Sequence, residues 1–135
     1  MERQKKVLDA SVILKAFTNE IDSNKVINIL EDFQDGKNEI IVPEFIFLEI
    51  TNALRYKKQS QESLNKTNKE LWNLGLKIES LNPFLLEKAI EISLKNNITI
   101  YDAIYVSLAQ INGCQLVTSD KELYKIPNVI PLEKS

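Results

Sequence analysis

TIYDAIYVSLAQINGCQLVTSD, residues 99–120, is the stretch that decides the fold class of this chain. Apolar residues recur with helical spacing up to Ile111, Gly113 suits a helix end, and QLVT at 115–118 is a short apolar run. A helix followed after a tight turn by a buried strand is the repeating unit of proteins built on a parallel sheet. This stretch therefore predicts an α/β fold.

The same alternation extends along the whole chain and predicts one domain over residues 1–135. Strands are expected at 5–9, 39–42, 77–81 and 115–118, with an edge strand at 128–132. Helices are expected from Ser11, at 21–33, from Pro43 to about 58, at 61–74 and at 99–111. Another is expected from Pro83, with Leu86, Ala89, Ile90 and Leu94 facing inward. A short one is expected from a Ser119 cap to 124. Such an order predicts a parallel sheet covered on both faces, with functional residues at the carboxyl ends of its strands.

Composition excludes several classes of site. The 135 residues include 17 basic and 19 acidic side chains, for a net charge of -2, one cysteine (Cys114) and no histidine. An internal disulfide, a multi-cysteine zinc site and Ser-His or Cys-His nucleophile pairs are therefore excluded. Any metal must be held by oxygen, as Mg²⁺, Mn²⁺ and Ca²⁺ are. The N-terminus lacks the features of a signal peptide and no run is long enough to span a membrane, so we expect a soluble, cytoplasmic protein.

Four carboxylates occupy positions that call for an explanation. Asp9 ends the first predicted strand and Asp120 comes just after the strand at 115–118, where side chains reach the ligand crevice of an α/β sheet. Glu49 and Asp102 lie within apolar arcs of their predicted helices, where a lone charge is costly. Each also has a structural alternative, which is helix capping for the three aspartates and a position at the edge of the apolar arc for Glu49.

Together, the four carboxylates would meet at one edge of the sheet. Four negative charges in one crevice repel each other by several kcal/mol unless a cation lies between them. A Mg²⁺ or Mn²⁺ site is the simplest interpretation, and such a site suits phosphodiester hydrolysis because the metal can activate water without a histidine.

Three segments carry a family resemblance. VLDASVILKAF (7–17), PEFIFLEITNAL (43–54) and YDAIYVSLAQINGCQLVTSDKEL (101–123) resemble PIN domains, specifically the VapC-type toxin ribonucleases of bacteria and archaea. The resemblance implies a three-layer α/β/α sandwich with a parallel sheet of about five strands. It places Asp9, Glu49, Asp102 and Asp120 on the family's acidic positions and Ser11 and Thr118 on its supporting hydroxyl positions. It further implies Mg²⁺- or Mn²⁺-dependent cleavage of RNA to 5′-phosphate and 3′-hydroxyl ends, a homodimer, and inhibition by a small cognate antitoxin.

The contacts to RNA and the reaction itself leave alternatives open. Arg55, Lys57 and Lys58, with Lys66 and Lys69 on the next helix, are candidates for binding RNA phosphates, and Tyr56 could stack a base. Alternatively, these basic residues only complement a helix dipole and keep the surface hydrated. Two rival functions are a Mg²⁺-dependent phosphatase with Asp9 as nucleophile and a PIN-like module that binds RNA or a partner without cutting.

Overall fold

A five-stranded parallel sheet forms the centre of the molecule, in a computed structural model that describes residues 3–135. Its strands lie in the order β3-β2-β1-β4-β5, and every neighbouring pair is parallel. The strands are β1 (Gln4–Leu8), β2 (Asn38–Pro43), β3 (Lys77–Glu79), β4 (Gln115–Thr118) and β5 (Val129–Pro131). The predicted α/β class and parallel sheet are confirmed.

Six α-helices connect these strands and cover the sheet on both faces. They are α1 (Ala10–Ile13), α2 (Ser23–Gln34), α3 (Ile46–Tyr56), α4 (Gln61–Asn73), α5 (Pro83–Asn96) and α6 (Ile100–Ile111). The chain moves outward from β1 through β2 to β3, and right-handed crossovers along this path place α1–α4 on one face of the sheet. It then returns in the opposite direction to β4, which places α5 and α6 on the other face. The result is the three-layer sandwich that the family resemblance implies.

The core is densest around the central strands. Val7, Leu8 and Ile41 have no exposed surface, and α6 packs across β1, β2 and β4. Burial on both faces explains why consecutive residues in these strands, such as Val7 and Leu8 or Ile40 and Ile41, are both apolar instead of alternating with polar ones. Tyr105 of α6 is 2% exposed, so a polar hydroxyl lies inside this apolar layer and requires a partner.

Two predictions about where helices begin are wrong. Pro43 ends β2, paired with Glu79 of β3, instead of opening α3, which begins at Ile46. A proline can end a strand because no further ladder hydrogen bond is required of its nitrogen. The short 3₁₀ helix Lys121–Leu123 is capped by Asp120, whose side chain accepts from the Glu122 amide, and not by Ser119.

The inward face of α5 is also partly wrong. Ala89 is buried as predicted, but Ile90 is 43% and Leu94 is 79% exposed. Leu85 and Ile92 are the buried residues instead, because α5 is apolar on more than one side and its packing against α6 selects the face. None of the helices within residues 3–135 has both the length and the apolar character that a transmembrane span requires.

Candidate active site

The candidate site lies where the strand order reverses. The chain leaves β1 toward β2 on one side, whereas β4 lies on the other side of β1, so a crevice opens between the carboxyl ends of β1 and β4. Asp9 directly follows β1, Thr118 ends β4, and Asp120 follows two residues later. The topology therefore brings Asp9 together with Thr118 and Asp120, which lie more than 100 positions later in the sequence.

Asp9 is held by three hydrogen bonds. The Ser11 hydroxyl donates to its Oδ1 at 2.6 Å, the Val12 amide donates to the same oxygen at 3.2 Å, and the Thr118 hydroxyl donates to Oδ2. The Val12 contact makes Asp9 the N-cap of α1, so the capping alternative is correct as well. Capping does not account for Thr118, which lies on a different strand.

The two hydroxyls also join the β1 and β4 loops. Ser11 Oγ accepts from the Ser119 amide at 3.2 Å, and Thr118 Oγ1 accepts from the Asp120 amide at 3.0 Å. Each hydroxyl therefore accepts a hydrogen bond from an amide of the loop after β4 and donates one to the Asp9 carboxylate. Both hydroxyls to which the family resemblance draws attention thus contact the Asp9 carboxylate.

Burial sets the protonation of Asp9. The side chain is almost fully buried, and this desolvation raises its pKa to about 6, although the Ser11, Thr118 and Val12 hydrogen bonds lower it and Asp102 raises it further. A buried carboxylate with a raised pKa at a strand end is typical of a functional site.

Glu49 is oriented by a tyrosine that the sequence analysis did not select. Tyr105 of α6 donates its hydroxyl to Glu49 Oε1 at 2.5 Å. Burial raises the pKa of Glu49, the Tyr105 hydrogen bond opposes that rise, and the charge of Asp102 adds to it. The partner of the buried Tyr105 hydroxyl is thus a candidate site residue, and its spacing of three residues after Asp102 on α6 was a usable signal.

Asp102 links the members of the group electrostatically. Its charge raises the pKa values of Asp9 and Glu49, and its own pKa is raised by burial and then by the charge of Asp120. Its backbone amide donates to Thr99 Oγ1 at 3.0 Å, so Thr99 is the N-cap of α6. Asp102 is therefore the member of the group whose charge interacts with each of the other three predicted carboxylates.

No cation compensates this charge within the described chain. Across residues 3–135, none of the four carboxylates takes part in an ion pair, and no three Asp, Glu or Cys side chains converge closely enough to enclose a metal ion by themselves. The carboxylates act on one another through Asp102 without meeting at one point within residues 3–135. An ion there would be held by a subset of them together with water.

The basic residues lie at the other end of α3. Arg55, Lys57 and Lys58 are all exposed, and the Arg55 guanidinium lies 5.9 Å from the centre of the Tyr56 ring. Six residues separate Glu49 from Arg55, which corresponds to about 9 Å along the helix axis. Lys66 and Lys69 are exposed on α4, where they border a shallow groove.

A family model described as PIN domain matches residues 6–129. The chain belongs to the PIN domain family. This PIN domain is 30% identical over 125 residues to Ribonuclease VapC3 of Pyrobaculum aerophilum. The aligned region covers 88% of this chain and 92% of the relative.

Solved structures share the fold of this PIN domain. A toxin-antitoxin complex from Klebsiella pneumoniae superposes with a TM-score of 0.73 at 16% identity, covering 94% of this chain and 97% of that one. DNA-bound VapBC from Salmonella typhimurium gives 0.70 at 15% identity, covering 96% and 98%. At these identities the similarity shows a common fold.

Proposed function

We propose that this PIN domain is a divalent-metal-dependent endoribonuclease, using Mg²⁺ or Mn²⁺, and the toxin of a toxin–antitoxin pair. The observation that carries the proposal is the set of four carboxylates, none of which has an ion-pair partner within residues 3–135. Within this set the charge of Asp102 raises the pKa of Asp9, and the charge of Asp120 raises the pKa of Asp102. The relative named Ribonuclease VapC3 supports RNA as the substrate.

The residues present fit a hard divalent cation. All four side chains offer carboxylate oxygens, the ligands that Mg²⁺ and Mn²⁺ prefer. Asp9 uses three of the roughly four lone-pair directions of a carboxylate in hydrogen bonds, which leaves about one for an ion. The buried Ser119 hydroxyl, between Thr118 and Asp120, has no partner in the described chain and is available to a water of the site.

In this proposal each residue has a distinct task. Asp9 and Asp102 are the principal ligands, and Asp120 and Glu49 complete the set directly or through water. Divalent ions supply an activated water and charge stabilisation at the leaving oxygen when they are bound. Tyr105 fixes the direction of the Glu49 carboxylate through its hydrogen bond, as groups that hydrogen-bond to metal ligands do in other metal sites.

RNA phosphates are bound outside the acidic crevice. The exposed Arg55, Lys57 and Lys58 form a cationic group at the end of α3, where Arg55 lies about 9 Å from Glu49 along the helix axis. Replacing Lys57 by Gln should weaken RNA binding and reduce the slope of log affinity against log salt by about 1. The salt titration separates this role from the helix-dipole alternative, which gives no change in slope.

An antitoxin segment binds an apolar groove beside the site. The groove has a volume of about 810 Å³, and its lining includes Phe45 directly before α3, Leu48 of α3 and Trp72 of α4. Glu44 and Glu79 are its charged residues, so the partner should offer apolar side chains and a basic one. The neighbouring structures described as toxin-antitoxin complexes support such a partner.

Trp72 provides a direct test of this groove. It is the single tryptophan of the sequence, lines the groove, and is 49% exposed. A short reading frame directly before the gene should encode the antitoxin, and titrating its product should shift the Trp72 emission to shorter wavelength as the ring is buried. An unchanged spectrum on complex formation would place the partner elsewhere.

The proposal also includes a homodimer. Ile90 and Leu94, one turn apart on α5, leave an apolar stripe exposed that a second copy can cover. Light scattering should give the mass of a dimer for the wild type and of a monomer for Leu94→Lys. A monomeric wild type would contradict this part of the proposal.

The decisive experiment is RNA cleavage with matched variants. Wild type, Asp102→Asn and Glu87→Gln are incubated with structured and single-stranded RNAs in Mg²⁺, Mn²⁺ or EDTA. Glu87 is an exposed acid on α5 outside the carboxylate group and serves as the charge-matched control. We expect metal-dependent cutting by wild type and Glu87→Gln that is lost in Asp102→Asn. Equal cutting by all three proteins would refute the assigned site, and binding without cutting would indicate a non-catalytic module.

A further inference from the structure

Tyr101 is an exposed aromatic residue at the margin of the carboxylate crevice. It is 62% exposed and immediately precedes Asp102 in the first turn of α6. Adjacent Cα atoms lie about 3.8 Å apart, so the ring is anchored within one residue of a proposed ligand. At this exposure at least one face of the ring is open to solvent.

The ring is held in place by a chain of aromatic contacts that ends on the site. Phe45 packs edge-to-face against Tyr101, with ring centres 5.5 Å apart and planes at 86°. The same Phe45 packs against Tyr105 at 5.5 Å and 78°, and the Tyr105 hydroxyl donates to Glu49. Two ring contacts and one hydrogen bond therefore connect Tyr101 to Glu49. These contacts restrict the Tyr101 ring more than an unsupported side chain on the surface would be restricted.

An RNA substrate needs such a contact at this point. The charges that act on Asp9, Glu49 and Asp102 come from other acids. In residues 3–135 no lysine or arginine is paired with any of the four carboxylates. Phosphate contacts to cations are thus scarce beside the reacting bond. Stacking on an aromatic face offers an alternative source of affinity, because every nucleobase has a π-face whatever its sequence.

Building on the proposed function, we infer that Tyr101, supported by Phe45, is a positioning residue on which the nucleobase next to the scissile phosphate stacks. The substrate at this position is consequently RNA with an unstacked base, in a single strand or a loop. A paired base in a continuous helix cannot lie on the ring, because both of its faces are already occupied by neighbouring bases.

Kinetics on a single-stranded oligoribonucleotide test the inference. Tyr101→Ala should lower kcat/KM by about 5- to 150-fold, mainly through KM, which corresponds to the ~1–3 kcal/mol of one base–aromatic stack. Tyr101→Phe retains the ring and should stay within about threefold of wild type. Phe84→Ala is the matched control, since Phe84 is also an exposed aromatic (66%) in the first turn of a helix, and it should leave the kinetics unchanged.

An abasic substrate separates stacking from a structural role. Once the cleaved bond is mapped, RNAs lacking the base on either side of it should make wild type and Tyr101→Ala equivalent at one of the two positions. A Tyr101→Ala defect that persists on both abasic RNAs, or no defect on intact RNA, would overturn the inference while leaving the nuclease intact. Absence of cutting by the wild type would instead refute the proposed function.

Binding gives a second readout that does not depend on cutting. The same labelled RNAs are titrated in Ca²⁺ and followed by fluorescence anisotropy, with a perfect RNA duplex for comparison. Tyr101→Ala should weaken single-strand binding by a similar factor and leave duplex binding unchanged. An equal loss for both RNAs, or a loss confined to antitoxin binding, would overturn the stacking assignment.

Discussion

Asp9→Asn should stabilise the metal-free protein while abolishing its activity. Burial raises the pKa of Asp9 from 3.8 to about 6, so between these values the folded chain holds a proton that the unfolded chain has released. The free energy of unfolding therefore falls as pH rises through this window and stays reduced above pH 6. A neutral amide of the same shape avoids that cost.

The expected size follows from the shift itself. The difference of 6 − 3.8 = 2.2 corresponds to about 3 kcal/mol at roughly 1.36 kcal/mol per unit. Part of this gain in stability is offset by a change in one hydrogen bond. The amide nitrogen of the new asparagine must face the Thr118 hydroxyl, which then accepts a hydrogen bond where it donates one to Asp9 in the wild type. We therefore expect a net gain of about 1–3 kcal/mol at pH 7.5, or several degrees in Tm.

Denaturant unfolding in EDTA at several pH values from 4.5 to 8 measures this gain. The advantage of Asp9→Asn over wild type should be small at pH 4.5, grow toward pH 6, and level off above it. Glu87→Gln serves as the control for removing one negative charge, because Glu87 is exposed and outside the site. Saturating Mg²⁺ should reverse the order, since only the wild type gains binding free energy.

Two results would refute this reasoning. The first is an Asp9→Asn protein that is less stable than wild type at pH 7.5 in EDTA, which would mean that the hydrogen bonds to the charged form outweigh desolvation. The second is a stability difference that does not vary with pH, which would show that Asp9 does not titrate in this range.

Three further predictions concern the support of the carboxylates. Thr118→Val removes the donor to Asp9 and the acceptor for the Asp120 amide. Thermal melts should show that the free energy of unfolding falls by about 1–3 kcal/mol, and calorimetry should show a ~10- to 100-fold weaker affinity for Mn²⁺. Unchanged values in both measurements would contradict this prediction. Tyr105→Phe removes the hydrogen bond that lowers the pKa of Glu49, so the acidic limb of the pH–rate profile should move to higher pH, and an unmoved limb argues against the contact. Mg²⁺ at 100 times its Kd should add about 2.7 kcal/mol to the free energy of unfolding, and equal melts in Mg²⁺ and EDTA would indicate no ion in the site.

The architecture was predictable because it depends on short-range patterns. Apolar runs and the glycine and proline positions around them predicted the five strands, and the strand ends then located Asp9 and Asp120. The error at Pro43 arose because proline is compatible with both a helix start and a strand end, and only pairing with Glu79 of β3 decides between them.

The inner workings of the site were less accessible from sequence. The apolar arc around Glu49 indicated a buried face, but its hydrogen bond to Tyr105 joins residues 56 positions apart, and no local pattern encodes that distance. The exposure of Ile90 and Leu94 has a similar origin, since a helix that is apolar on several sides turns inward whichever face its neighbour fits.

The hydrogen bond between Thr118 and Asp9 spans 109 positions in sequence and accompanies the pairing of β1 with β4. Parallel pairing at such separation requires closure of a very long loop, whose entropy must be lost before any contact compensates for it. We expect β1–β4 docking to be among the slow steps of folding. Because the site exists only after that step, a chain that has formed its local helices is still without activity, and recovery of cleavage during refolding would time the completion of the sheet.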